Sequence, residues 1–236
     1  HCTTGGSTAY LDSTMLFLIP CMILALWAQH RVKSTYTKYS QVGSTARITG
    51  AEAARRLLQQ NRIVDVTVEE TGGVLSDHYD PRSKVVRLSS GIFHGHHLAG
   101  LAVAAHEVGH AIQHANGYFP LNLRHAFLPV ANLGSMAAFP LFFIGFFFTG
   151  SALLVDIGIA LYAGVVAFQV ITLPVEFNAS TRAMAQLVDG KYLSAEESVL
   201  AKKVLNAAAL TYVAATATAL MHLVRLLILR GGMRDD

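Results

Sequence analysis

The sequence predicts a mostly α-helical integral membrane protein, with about four transmembrane helices and a small polar α/β segment between them. Three observations lead there. Only 14% of the 236 residues are charged and 53% are hydrophobic, whereas soluble domains carry about 25% charged residues. The mean hydropathy is +0.42. Four apolar runs are long enough to be candidates for crossing about 30 Å of hydrocarbon.

The first run is Ser13 to Ala28. It lacks a basic stretch before it, and Arg31, Lys33 and Lys38 follow it. That order reads as an anchor with its N-terminus outside rather than a cleaved signal. The second run, Ala126 to Thr149, and the third, Ser151 to Leu173, meet at Gly150 and form a helical hairpin. The fourth is Ala207 to Leu229. The chain thus divides into 1–29, 30–125, 126–173, 174–206 and 207–236. The polar stretch His1 to Ala9 is assigned no function. Cys2 and Cys21 do not make a disulfide framework. A net charge of +3 with scattered basic residues excludes nucleic acid as a partner.

Local signals organise segment 30–125. Thr49-Gly50-Ala51-Glu52 has capping-box spacing and starts a helix to about Gln60. Ile63 to Glu69 alternates like a strand. Lys84 to Ser89 is a second strand, preceded by turn chemistry at Asp80-Pro81-Arg82-Ser83. As an edge, that strand could pair with an extended substrate. A helix from Leu98 to Ala115 ends at Asn116-Gly117. In segment 174–206, Ser194-Ala195-Glu196-Glu197 is another capping box, and its helix runs on into the fourth span.

The chemistry is concentrated in His106-Glu107-Val108-Gly109-His110. On a helix, positions i and i+4 stack on one face. Two imidazoles there can bind one zinc ion, and the adjacent glutamate can take the proton of an activated water. A catalytic zinc needs a third protein ligand. Asn116 stands where the metzincin pattern requires a histidine, which rejects that class. His114 lies about 12 Å along a straight helix from His106 and is the weaker candidate. Glu176 is the better one. An acidic side chain at the end of an apolar span is costly unless paired or metal-bound; its alternative is an interfacial carboxylate. Four spans put 30–125 and 174–206 on one side of the membrane. Those segments hold fifteen of the eighteen Lys and Arg residues, so the positive-inside rule makes that side cytoplasmic.

These residues resemble a family. His106-Glu107-Val108-Gly109-His110-Ala111-Ile112-Gln113-His114, then Pro174-Val175-Glu176-Phe177-Asn178-Ala179-Ser180, and the run Asp77-His78-Tyr79-Asp80-Pro81 are similar to the YugP-like neutral zinc metallopeptidases of bacterial membranes. The likeness runs from about Tyr10 to Leu229. It implies a multi-pass bacterial membrane gluzincin whose small cytosolic α/β segment is zincin-like. It also implies one zinc ion per chain on His106, His110 and Glu176, with Glu107 as base. More distantly the layout resembles HtpX and the CAAX prenyl proteases. There the third-ligand motif reads E-x-x-x-D, and its aspartate supports a zinc-binding histidine. Ser180 stands at that position here, with Asn178 as a substitute.

The expected reaction is peptide-bond hydrolysis on a protein or peptide substrate beside membrane lipid. Arg182 and then Tyr212 are the candidates for stabilising the oxyanion; the alternatives are an interface anchor and an aromatic-belt residue. A homo-oligomer or larger membrane assembly is left open. His94, His96 and His97 read as solvated surface without a matching acidic partner, and Asp77 and Asp80 as turn formers. Asp156, Arg225 and His222 read as a polar layer fixing the helix bundle. The competing class is a non-proteolytic zinc-binding scaffold, against which the retention of Glu107 argues. A transporter is weaker still, since apart from that layer the spans lack polar pathway residues.

Overall fold

Residues 14–233 are described by the computed structural model. His1 to Ala9, and Ser13 at the start of the first expected span, lie outside them. The helices are α1 (Leu18–Ser40), α2 (Gly50–Gln60), α3 (Ser90–Phe93), α4 (Leu98–Ala115), α5 (Phe119–Phe143), α6 (Ala152–Asp189) and α7 (Ala195–Gly232). The strands are β1 (Thr67–Thr71), β2 (His78–Asp80) and β3 (Val85–Ser89).

Among the described residues, three stretches are long and apolar enough to cross a membrane: Phe119–Thr149, Ala152–Asp189 and Ala195–Gly232. Helix α1, where the first expected span falls, is not among them. Its second half carries His30, Arg31, Lys33 and Lys38.

The chain forms two compact units. Of the described residues, one contains 14–27, 123–173 and 212–233; the other contains 28–122 and 174–211. In the first, α5 runs into a wide helical turn, Ile144–Thr149, and Gly150 reverses the chain in the left-handed region at φ +62°. Phe142, Val155 and Leu226 form the centre of its core. The expected Asp156–Arg225 pair does not form. Asp156 instead accepts two bonds from Arg230, at 2.6 and 3.0 Å, while Arg225 Nε reaches Thr14 Oγ1 at 3.4 Å. Asp156 lies in the second turn of α6, and α7 continues past the expected span end, so its final residues supply the partner. His222 lies among aromatic rings, 5.9 Å from Phe139 and 6.4 Å from Tyr162.

In the second unit, the Thr49 hydroxyl accepts the Glu52 amide at 3.0 Å, so α2 starts where the capping signal lies. Its Leu57 and Leu58 pack with Leu98, Leu101 and Ala105 of α4 in one core. The sheet order is β1-β3-β2, with β1 parallel and β2 antiparallel to β3. Strand β3 is therefore central and paired on both sides. That removes it as a free edge for substrate, because two neighbours already use its backbone groups. The first strand starts later than its alternation suggested. Ile63 is still tied to the end of α2, its amide donating to Leu58.

Pro174 does not end the third apolar helix. Helix α6 continues through it to Asp189, a local loss of one backbone bond that neighbouring turns sustain. The second capping box forms reciprocally. Ser194 Oγ accepts the Glu197 amide at 3.1 Å, and Glu197 Oε2 accepts the Ser194 amide at 2.9 Å. Glu197 also accepts the Thr45 amide at 2.8 Å and its hydroxyl at 2.6 Å, tying the start of α7 to a loop 152 residues earlier.

Candidate metal centre

Helix α4 is built to be buried. Six of its eighteen residues are alanine, the best helix former. Apolar residues surround it on nearly every side, as a helix inside a core requires. His97 caps its start, Nδ1 accepting the Gly100 amide at 2.9 Å while Nε2 bonds the Gly91 carbonyl at 3.0 Å. At its end the Tyr118 amide reaches Gln113 O and the Gly117 amide reaches His114 O, a Schellman closure.

The polar residues on α4 must find partners in that environment. The His106 and His110 rings meet edge to face with centroids 4.8 Å apart. Glu176 of α6 is buried against them. Its Oε2 is 3.1 Å from His106 Nε2 and 3.4 Å from His110 Nε2. One ligand atom from each of the three lies within 4.8 Å of the others, so the set can hold a metal ion. It is the one such cluster among the described residues.

The other nitrogen of each imidazole is also held. His106 Nδ1 is 3.0 Å from Ser180 Oγ. His110 Nδ1 is 3.0 Å from Gln113 Oε1. Gln113 is fully buried, and its Nε2 donates to Val175 O at 2.8 Å and Asn178 Oδ1 at 3.0 Å. Those two acceptors fix the amide orientation, so Oε1 must accept from His110 Nδ1–H. The Nε2 lone pair of His110 is then left to face Glu176. Ser180 thus meets His106 directly in the place where an aspartate was expected. Asn178 touches neither histidine and acts through Gln113. The sequence contained a signal for Gln113: an amide three residues after His110, on a helix otherwise apolar there.

Glu107 is buried. Burial pushes its carboxyl up to about 7; His106 lowers it, Glu176 and Asp77 raise it further, and the Tyr79 backbone amide donates to it. Tyr79 in turn bonds His114 Nδ1 through its hydroxyl at 2.8 Å, so His114 is occupied away from the cluster. Strand β2, which carries Tyr79, had no sequence signal beyond the turn-like run Asp77 to Pro81. Three residues are too few for a readable alternation. Asp77 receives the Ser89 amide at 2.7 Å, and burial raises its carboxyl. Asp80 does cap the turn as expected, accepting from Arg82 N and Ser83 Oγ.

Arg182 donates through Nε to Asn178 Oδ1 at 2.7 Å, and its guanidinium carbon lies 5.7 Å from the Tyr118 ring centre. Tyr212 belongs to the other compact unit. His94 has an acidic partner after all, Glu70 at 3.1 Å, brought in by β1 from 24 residues earlier. His97 is a helix cap rather than open surface.

Known proteins supply the context. Residues 14–231 match a family profile described as "Putative neutral zinc metallopeptidase". A protein of Bacillus subtilis (strain 168), described as "Putative membrane protease YugP", is 47% identical over 225 residues, covering 94% of this chain and 100% of that relative. No solved structure matches. The two matches cover nearly all the described residues, and the chain belongs to the neutral zinc metallopeptidase family which that profile describes.

Proposed function

We propose that the protein is a membrane-embedded zinc-dependent endopeptidase that hydrolyses peptide bonds of membrane or misfolded proteins at the cytoplasmic face. The observation that carries this reading is the convergence of His106, His110 and Glu176 on one point with Glu107 adjacent in the chain. Two imidazoles and a carboxylate are the donor set of a catalytic zinc with an open position. A metal ion held there, one per chain, would polarise a carbonyl and acidify a water.

This chain's own residues do the rest. His106, His110 and Glu176 hold the ion. Ser180 and Gln113 orient the imidazoles, as outer partners of metal-binding histidines do. Glu107 takes a proton from the attacking water on its carboxylate and returns it to the leaving amine. Its buried, raised carboxyl suits a group that must both accept and release a proton near neutrality. Arg182 is the first candidate to stabilise the oxyanion, and Tyr212 the second.

The topology reading is supported by chain order. The hairpin of α5 and α6 goes out and returns, so 30–125 and 174–206 share one side whatever the first span does. Their basic content makes that side cytoplasmic. A fourth span at the start of α1 is supported by its exposed apolar residues, among them Ile19, Met22, Ile23 and Leu26. Peptide substrate and membrane lipid are the partners, with a homo-oligomer left to experiment.

The test is to purify the protein and its Glu107→Gln variant, measure bound zinc, and assay cleavage of casein and an unfolded membrane protein. Equal zinc with activity lost only in the variant is the expected result. Zinc in both with cleavage in neither would establish a non-proteolytic scaffold instead. A tag in the Arg82 loop accessible from outside intact cells would overturn the cytoplasmic orientation.

A further inference from the structure

Beside the candidate metal cluster, two helical faces enclose a groove of about 440 Å³. On α6, Phe177, Ser180 and Met184 line it at i, i+3 and i+7, one face of the helix. On α7, Val199, Lys202 and Leu205 line the opposite wall. Phe177 and Val199 leave 46% and 57% of their surface exposed, an apolar rim within an otherwise polar segment.

The groove is continuous with the cluster. Ser180 lines it and also bonds His106 Nδ1 at 3.0 Å, and Phe177 follows Glu176 in the chain. An extended residue spans about 3.3–3.6 Å, so a peptide with one side chain in the groove carries its backbone past the cluster within a residue or two. The volume falls in the range of small-ligand sites, and apolar walls with a few polar groups are the usual composition of such sites. Asn206 and Lys202 on the α7 side can donate to peptide carbonyls, which an acyl chain lacks along its length. Lys202 also opposes a basic occupant.

We propose that this groove is a specificity subsite that takes an apolar, uncharged side chain of an extended polypeptide, next to the bond presented to the cluster. The inference rests on the peptidase reading above. The walls set the preference: a Leu or Phe side chain removes its surface and that of Phe177, Met184 and Val199 from water, whereas Ser gains little and Lys meets Lys202.

The experiment uses zinc-loaded, full-length Glu107→Gln protein in detergent. A panel of fluorescein-labelled dodecapeptides carries Leu, Ser or Lys at one position at a time. At one position Leu should bind about tenfold or more tighter than Ser, with Lys weakest. Filling the groove with Ala209→Phe, or from the other wall with Thr181→Phe, should reduce that preference to about twofold or less. Either variant suffices if the other fails to fold. A Leu preference that survives both fillings overturns the proposal. So does the absence of any position-specific preference, the result expected if a lipid or detergent chain occupies the groove. The same panel is offered to the protein with Glu107 intact. A groove-dependent preference without cleavage would sink the peptidase reading and leave a peptide-binding site.

Discussion

A Cβ atom placed on Gly109 would lie 2.5 Å from the carbonyl oxygen of Ala179. No side chain fits there, so the second variable position of the His106–His110 motif sets how closely α4 and α6 approach. That approach places Glu176 and Ser180 against the two histidines.

Gly109→Ala should therefore cost more than an ordinary helix substitution, although alanine is the better helix former. The neighbour is backbone and cannot rotate away. Overpacking of this kind costs about 1–3 kcal/mol. The melting temperature should fall, and zinc should bind more weakly because α6 is displaced. A variant as stable and as zinc-replete as the parent would show that the helices can separate without consequence.

Gln113→Ala should lower zinc affinity by about 10–100-fold, the usual effect of losing an outer partner of a metal-binding histidine. It leaves His110 Nδ1 without its acceptor. Gln113→Glu keeps an acceptor at that atom and should recover part of the loss, although it gives up donation to Val175 O and Asn178. Competition with a chromophoric chelator reads the affinity directly.

His114 and Glu176 should separate cleanly by metal content. Glu176→Ala should lose the ion. His114→Ala should keep one zinc per chain, because His114 is bonded to Tyr79 rather than turned to the cluster. A zinc-free His114→Ala protein that remains folded by circular dichroism would contradict that geometry.

The β2–β3 turn should be acid-sensitive through Asp80. Hydrogen bonds from Ser83, then from Arg82 and Arg87, lower its carboxyl to about 2. A folded value below the unfolded one of about 3.9 means stabilisation that is complete above pH 4. It is lost as pH falls from about 4 towards 2. The effect is small and screened by salt, since Asp80 lies at the surface. The protection of the Ser83 amide, its exchange rate taken relative to the intrinsic rate at each pH, should fall over that window and stay flat in Asp80→Asn.

What the sequence could reveal was set by how far each signal reached along the chain. The cap at Thr49, the box at Ser194–Glu197 and the ends of α4 depend on residues within four or five positions, and all were legible. Glu176 was singled out by the cost of a carboxylate at the end of an apolar run and by the order of the segments, and its side chain does cluster with the two histidines. Pairings chosen by tertiary geometry were not legible. Asp156 found Arg230 because α7 outlasts its apolar stretch, and His94 found Glu70 through a sheet. Strand β2 exists because β3 and α4 flank it, not because three residues prefer to be extended. Pro174 marked a helix end in sequence, but in the fold α6 continues through it.

The separation of 70 positions between His106 and Glu176 also has a meaning in time. A ribosome adding 5–20 residues per second needs roughly 3–15 s to make that stretch. Throughout that interval the two histidines exist without their carboxylate, and the clasp between Thr45 and Glu197 completes later still. A growing chain therefore carries an unfinished centre while its own apolar helices are most exposed. The order of the genetic text delays completion of the His106–His110–Glu176 cluster until the long apolar helices that precede Glu176 have been made.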